Sequence, residues 1–182
     1  MDRFYIVVTG LPASGKTTIG RKLAGTLDIQ FIDKDEYLEQ LYLERGIGNI
    51  DWRKSLSRES DTSFVRTAKD SNCAVLVSHW KTIVSEERSG TPVDWLRESD
   101  SSIIELFCSC PVQVAASRFA ARHRHPGHLD SYRTDADVLN WMSHYQKGLP
   151  LGLGELITVD ASDQLDFDEL QVQISDILDV ST

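Results

Sequence analysis

The chain has 182 residues, of which 41% are hydrophobic and 26% charged, and its formal net charge is −9. This length and composition fit one globular domain with a full core and argue against two domains. The negative charge argues against a protein that coats nucleic acid or anionic membranes, and the apolar runs are too short to cross a bilayer. No basic-then-apolar leader precedes the first apolar run, and the three cysteines form no disulfide framework, so a cytoplasmic setting is expected.

Short apolar runs alternate with amphipathic segments along the whole chain. The apolar runs predict five buried strands, at residues 4–9, 29–32, 74–78, 103–108 and 155–159. The amphipathic segments predict helices at residues 16–27, 34–45, 52–69, 92–98, 111–123, 134–146 and 166–179. Such alternation is typical of a three-layer α/β fold, in which helices cover both faces of a five-stranded parallel sheet. Ligands of such sheets bind beyond the carboxyl ends of the strands, so the residues that follow each strand are the candidate site.

The segment after the first predicted strand has the pattern of a phosphate-binding loop. Residues 10–17 read G-x-x-x-x-G-K-T, and they lie between a strand and a helix, as the motif requires. The backbone N–H groups of such a loop and the amino end of the following helix surround a phosphate group. We therefore predict that Lys16 contacts the terminal phosphates of a nucleotide and that Thr17 binds Mg²⁺. The other residues predicted to bind the nucleotide here are Gly10, Leu11, Pro12, Ala13, Ser14, Gly15 and Thr18.

Two carboxylates follow the second predicted strand. Asp33 is predicted to support Mg²⁺, and Asp35 to accept a proton from an attacking hydroxyl, as in phosphoryl transfer. The structural alternative is that Asp33 caps the next helix while Asp35 only complements the helix dipole.

The third predicted strand is followed by Ser78, His79 and Trp80, without a carboxylate. Asp33 is therefore the preferred metal ligand, while His79 and Trp80 are predicted to shape the acceptor pocket. Core packing is the alternative for Trp80, because large aromatic side chains are often mostly buried. His79 is also an alternative catalytic base, less favoured than Asp35.

A basic segment follows the fourth predicted strand. Arg118, Arg122 and Arg124 precede a Pro-Gly break, and residues 118–135 are predicted to form a mobile lid over the triphosphate. Arg122 or Arg124 would neutralise charge during transfer, with a solvated basic helix end as the alternative. Zinc binding is disfavoured because no cysteine or carboxylate completes a ligand set with His123, His125 and His128.

Asp160 and Ala161 follow the fifth predicted strand and are predicted to lie beside the nucleotide base. The chain has no N-K-x-D guanine signature, so ATP is predicted rather than GTP.

With these residues, the chain resembles the small P-loop metabolite kinases of the shikimate kinase and gluconate kinase group, which have a nucleoside monophosphate kinase-like fold. The resemblance rests on residues 15–24, GKTTIGRKLA, and residues 31–35, FIDKD, together with the basic lid. It implies that Asp33 supports Mg²⁺ through water and that Asp35 orients or deprotonates the acceptor hydroxyl. It also implies an arginine on adenine, a lid arginine and an arginine on a substrate carboxylate, which are Arg118, Arg124 and Arg58 respectively.

Two departures from shikimate kinases separate this chain from that activity. Shikimate kinases carry three glycines where Ser78-His79-Trp80 stands here, which argues against shikimate as the acceptor. The lid sequence is closer to the gluconate kinase style. The acceptor subsite is expected to include His128 as well as His79, Trp80 and Arg58.

The resulting prediction is one P-loop kinase domain over residues 1–182, with an acceptor-binding helical region at 35–70. It would use ATP and Mg²⁺ to phosphorylate a hydroxyl of a small metabolite, such as a sugar acid, a sugar, a cyclic polyol or an antibiotic-like compound. The alternatives are a nucleoside, nucleotide or polynucleotide 5′-hydroxyl kinase and a non-catalytic ATP-binding switch. A monomer or a homodimer is expected.

Overall fold

The computed structural model describes residues 3–86 and 89–180, and its centre is a five-stranded parallel sheet. The strands lie in the order β2-β3-β1-β4-β5, and β1 is buried along its whole length. Each strand end falls within one residue of its predicted place, so the predicted parallel α/β sheet is confirmed. The strands are β1 (Phe4–Gly10), β2 (Gln30–Asp33), β3 (Cys73–Val77), β4 (Ser102–Ser109) and β5 (Glu155–Asp160).

Helices connect these strands, as the sequence predicts. The helix predicted at 92–98 is a single turn, since Thr91 is held in a β-bridge with Trp80 just before it. Within the described residues, three short 3₁₀ helices were not predicted, at Pro126–His128, Asp130–Tyr132 and Gln146–Gly148. The α-helices of the described residues are α1 (Lys16–Leu27), α2 (Lys34–Arg45), α3 (Ile50–Asp70), α4 (Asp94–Arg97), α5 (Val112–Ala121), α6 (Asp135–Tyr145) and α7 (Phe167–Val180).

Alternate side chains of β1 enter two separate hydrophobic cores. Tyr5 and Val7 pack in a core that includes Phe64 of α3. Ile6 packs on the opposite face of the sheet, in a core that includes Leu23 of α1 and Ile174 of α7. Because successive strand residues point to opposite faces, one central strand supports both outer layers and gives the predicted three-layer arrangement.

None of the helices in the described part of the chain combines the length and the apolar character that a bilayer crossing demands.

A buried carboxylate joins the end of β1 to the segment before β5 through hydrogen bonds. No sequence pattern indicated this contact. Glu105 lies in the middle of β4 and is completely buried. It accepts hydrogen bonds from the Thr9 hydroxyl at 2.8 Å and from the Leu151 and Gly152 amides at 2.7 and 2.8 Å, and Leu153 donates a longer one. Thr9 immediately precedes Gly10, so this carboxylate supports the strand end from which the phosphate loop departs.

Glu105→Ala is expected to lower the free energy of unfolding by roughly 2–4 kcal/mol, because several buried donors lose their acceptor together. The free energy of unfolding of Glu105→Gln should lie between those of wild type and Glu105→Ala, because the amide oxygen of Gln still accepts hydrogen bonds. Urea denaturation measures the difference. Glu155→Ala is the control, because Glu155 is exposed on β5. Equal losses in Glu105→Ala and Glu155→Ala would contradict the role assigned to Glu105.

Candidate functional site

A cleft of about 780 Å³ lies at the carboxyl ends of the strands. Its walls come from the loop after β1, the start of α2, the middle of α3, the segment after β3, and α6 together with residues 118–135, which we call the lid segment after their predicted role. These are the positions at which parallel sheets bind their ligands. Residues that are far apart in the sequence therefore share one space.

The loop after β1 has the backbone conformation that a phosphate-binding loop needs. Gly10 has φ +139°, and a Cβ there would lie 2.6 Å from the Cys108 carbonyl oxygen. Gly15 has φ +105° and begins α1 without a side-chain cap, so the amino end of α1 remains available to an anion. The Ser14 hydroxyl is buried and has no hydrogen-bond partner among the described residues. These features fit a phosphate group.

Lys16 lies inside the loop that it serves. Its ammonium donates to the Gly10 carbonyl at 3.0 Å and to the Leu11 carbonyl at 2.8 Å. Burial lowers the pKa of Lys16 to about 8, although Cys108, Asp35 and Asp33 oppose this change. Since that pKa still exceeds neutral pH, Lys16 is mostly charged and can meet an anion in the loop.

Thr17 and Asp33 form a pair suited to Mg²⁺. The Thr17 hydroxyl donates to one Asp33 oxygen at 2.9 Å, while the Asp35 amide donates to the other at 3.0 Å. The second contact makes Asp33 the cap of α2, so the structural reading of this residue also holds. Burial, together with the nearby charge of Asp35, raises the pKa of Asp33 to about 6. A buried carboxylate beside a hydroxyl oxygen is the donor set that Mg²⁺ prefers.

Asp33→Asn is expected to stabilise the nucleotide-free protein by about 1–3 kcal/mol at about pH 7. The pKa of Asp33 rises from 3.8 to about 6 on folding, so stability decreases as pH rises between these values. The neutral amide avoids that cost, and the two proteins should be equally stable near the lower end of the window. Denaturant titrations at both pH values, without Mg²⁺, measure this. A variant that is less stable than wild type at the higher pH would contradict it.

Asp35 is held by the lid segment. Arg124 forms an ion pair with Asp35 and a second one, at 3.4 Å, with Asp130, which also pairs with Arg122 at 2.9 Å. Burial disfavours ionised Asp35, but the positive charge of Arg124, followed by His128, outweighs it and holds the pKa below its usual range. Asp35 is therefore ionised and engaged before any ligand arrives.

The Pro-Gly corner of the lid segment is packed against α2. His125 stacks on Tyr42 with ring centroids 5.2 Å apart, and the buried His128 bonds through Nε2 to Glu39 at 2.9 Å. A Cβ on Gly127 would lie 2.5 Å from the Tyr42 ring, so this close approach requires glycine. The lid segment thus contacts the helix that carries Asp35.

The residues predicted to bind the nucleotide base lie together where α5 meets the loop after β5. Arg118 lines the cleft and donates to the Ala161 carbonyl at 2.7 Å. Asp160 accepts from the Ser162 amide and hydroxyl, which shapes the loop after β5. Asp160 and Ala161 are thus joined to Arg118, although neither lines the cleft itself.

A polar cluster lines the cleft within and beside the region 35–70 that the sequence predicts to bind the acceptor, but sequence reasoning did not identify Lys34, Ser57 or Asp61 individually. Lys34 is buried, donates to the Ser57 hydroxyl at 2.6 Å and lies 3.8 Å from an Asp61 carboxylate oxygen. Arg53 lines the same wall, and its Nε is buried without a partner among the described residues. Arg53, Ser57 and Asp61 are spaced by four residues, which places them on one face of α3. That spacing is the signal that could have revealed them.

Comparison with known proteins assigns the chain to a family. Residues 6–148 match a family model described as AAA domain. The chain belongs to the AAA domain family. The shikimate kinase of Corynebacterium jeikeium is 56% identical over 34 residues, 19% of this chain and 18% of that kinase. The AAA domain protein thus aligns with about a fifth of the length of this curated relative.

Solved structures resemble this AAA domain over nearly its whole length. A candidate kinase from Chloroflexus aurantiacus is 25% identical, with a TM-score of 0.76 over 99% of this chain and 98% of that one. Shikimate kinase from Bacteroides thetaiotaomicron is 17% identical, with a TM-score of 0.59 over 97% of this chain and 98% of that one, and shows the fold alone. The resemblance to small P-loop kinases is therefore confirmed.

Within the AAA domain, Trp80 lies in the core and not in the acceptor pocket where it was predicted. Trp80 is completely buried, packs on Phe64 and donates its indole N–H to the Val8 carbonyl at 2.9 Å. It belongs to the core beneath the sheet, so the prediction that it shapes the acceptor pocket is wrong. His79, Arg58 and His128 do line the cleft, with Arg58 exposed on α3.

Proposed function

We propose that this protein transfers the γ-phosphoryl group of ATP to a hydroxyl group of a small molecule. The observation that carries the proposal is the meeting of a phosphate loop, a carboxylate pair and two arginines in one cleft. A nucleotide-gated switch would need the loop, but it would need no carboxylate aimed at an acceptor.

The residues of the cleft divide the work between them. The loop amides and Lys16 bind the phosphates, and Arg118 faces the base from the end near Ala161. Thr17 and Asp33 would hold Mg²⁺, which, when bound, neutralises phosphate charge. Arg122 and Arg124 stabilise negative charge on the group in transfer.

Asp35 acts on the acceptor. It takes the proton of the acceptor hydroxyl while that oxygen bonds to the γ-phosphorus and the bond from phosphorus to the ADP oxygen breaks. Asp35 must first exchange its ion pair with Arg124 for a hydrogen bond from the acceptor. Arg124 is then free to face the phosphates, so acceptor binding and charge stabilisation are coupled. Catalysis is otherwise positioning and electrostatics.

A coupled assay that measures ADP release from Mg-ATP tests the proposal. The candidate acceptors are sugars, sugar acids, cyclic polyols, nucleosides and aminoglycosides. We expect at least one acceptor to stimulate ADP release well above the rate with water alone. An absence of acceptor-stimulated release across the panel, with Mg-ATP shown to bind by calorimetry, would support the switch instead.

A further inference from the structure

One wall of the cleft is aromatic. His79 follows β3, and Trp141 and Tyr145 lie one turn apart on α6; all three line the cleft. The His79 ring centroid is 5.5 Å from that of Trp141 and 4.4 Å from that of Tyr145. Phe119 of α5 continues the wall, with its centroid 6.0 Å from that of Trp141. We call these four side chains the aromatic wall.

The aromatic wall carries an unused polar atom. His79 Nδ1 is buried and has no hydrogen-bond partner among the described residues. Burial, followed by the charges of Lys16 and Lys34, lowers the pKa of His79 to about 3, so the ring is neutral at neutral pH. A buried polar atom without a partner is costly, and a ligand that completes its hydrogen bond removes that cost.

The aromatic wall adjoins the place where the acceptor must sit. His79 lines the same cleft as Lys16 of the phosphate loop, Asp35 and Arg53 of α3. Ser57 and Lys34 add polar groups to the lining of this cleft. A molecule in the cleft therefore has both rings and hydrogen-bonding groups within its walls.

The indole ring of Trp141 already packs against one planar group, the guanidinium of Arg133. Arg133, which also lines the cleft, places its guanidinium carbon 4.5 Å from the centroid of the indole ring. Trp141 is half-buried, so part of its surface is open to the cleft. Flat groups pack on indole through dispersion and electrostatic attraction, and open chains have less surface to offer.

We propose that the acceptor is a cyclic alcohol, one face of whose ring packs on Trp141 while a polar substituent bonds to His79 Nδ1. This inference rests on the proposed function and narrows its substrate class to ring compounds, aromatic or saturated. Trp141 and His79 are then the residues that select the acceptor. The three-glycine turn of shikimate kinases supplies no ring at the place of His79.

The affinity of small-molecule probes for the whole 182-residue chain loaded with Mg-ADP tests this inference without relying on turnover. ADP fills the phosphate end of the cleft, so the probes compete only for the acceptor place. The ring probes are pyridoxine and thymidine, which are aromatic, and methyl glucopyranoside and myo-inositol, which are saturated. The open-chain probes are sorbitol and gluconate. We expect the best ring probe to bind at least about tenfold more tightly than either open-chain probe. The two ring arms distinguish an aromatic from a saturated acceptor.

Variants of Trp141 locate the contact. Trp141→Leu should weaken the best ring probe about tenfold or more, whereas Trp141→Phe should remain within about threefold of wild type. Ring binding should change tryptophan fluorescence in wild type and not in Trp141→Phe. Trp95→Leu is the control, because Trp95 is also half-buried but lies outside the cleft. Mg-ADP affinity should be unchanged in all three variants.

Three results would overturn the inference: no ring probe binds, an open-chain probe binds as tightly as the best ring, or the fluorescence change survives in Trp141→Phe. The last measurement decides the matter even if Trp141→Leu fails to fold. Acceptor-stimulated ADP release with gluconate alone would overturn the ring acceptor and leave the kinase intact. Tight ring binding without phosphoryl transfer to any acceptor would overturn the kinase instead.

Discussion

Lys16→Ala is expected to reduce acceptor-stimulated ADP release by at least about a thousandfold, which corresponds to about 4 kcal/mol of lost transition-state stabilisation. Lys16 is the charged side chain within the phosphate loop itself, and its burial keeps water from replacing it. Charge that develops on the phosphates therefore loses its nearest cation. Steady-state kinetics with saturating Mg-ATP measures the effect.

The matched control for this change is Lys22→Ala. Lys22 lies on the same helix, is exposed and has its ammonium 3.8 Å from the centroid of the Phe167 ring. Its removal should leave turnover within about twofold, because surface substitutions away from a site have small effects. Similar losses in the two variants would mean that Lys16 acts through the stability of α1. Retained turnover in Lys16→Ala would remove the phosphate loop from the mechanism.

Asp35→Asn is expected to lower turnover by about a hundredfold to ten-thousandfold, the range that general-base catalysis contributes. The amide keeps the size of the side chain but accepts no proton near neutral pH. ATP binding should remain within about threefold of wild type, because the loop contacts and the Thr17–Asp33 pair are intact. Single-turnover kinetics and calorimetry separate the two quantities.

Glu36→Gln is the matched control for Asp35→Asn, because it neutralises the adjacent carboxylate. Glu36 is exposed and pairs with Arg21 at 2.6 Å on the surface. Exposed ion pairs contribute little, so activity and stability should both stay close to wild type. If Asp35→Asn were as active as Glu36→Gln, Asp35 would have no role in proton transfer. His79 would not replace it easily, since its pKa of about 3 makes it a poor base.

Most of the fold could be predicted because its signals are local. The five strands are contiguous apolar runs, and the helices follow amphipathic patterns, although α3 begins at Ile50, directly after its Asn49 cap and two residues before its predicted start. The phosphate loop could be predicted for the same reason, since its glycines, Lys16 and Thr17 are neighbours in the chain. The family match and the structural neighbours confirm that reading of the fold.

The wrong prediction for Trp80 shows that a local pattern cannot say which way a side chain after a strand points. A residue directly after a strand can turn either to the core or to the cleft, and the hydrophobic pattern is the same in both cases. Here Trp80 turned inward because Val8 offers a carbonyl to its indole N–H and Phe64 offers a ring. His79, one residue earlier, faces the cleft and the aromatic residues of α6.

By itself, the sequence determined the succession of strands and helices along the chain and the loop that can hold a phosphate. Both depend on residues within a few positions of each other. Only the tertiary structure decided which side chains oppose that loop. The Arg124–Asp35 ion pair joins positions 89 residues apart, and Glu105 reaches Gly152 across 47. Contacts over such separations depend on how whole elements pack, and packing energy is shared among many residues, so no short pattern records it.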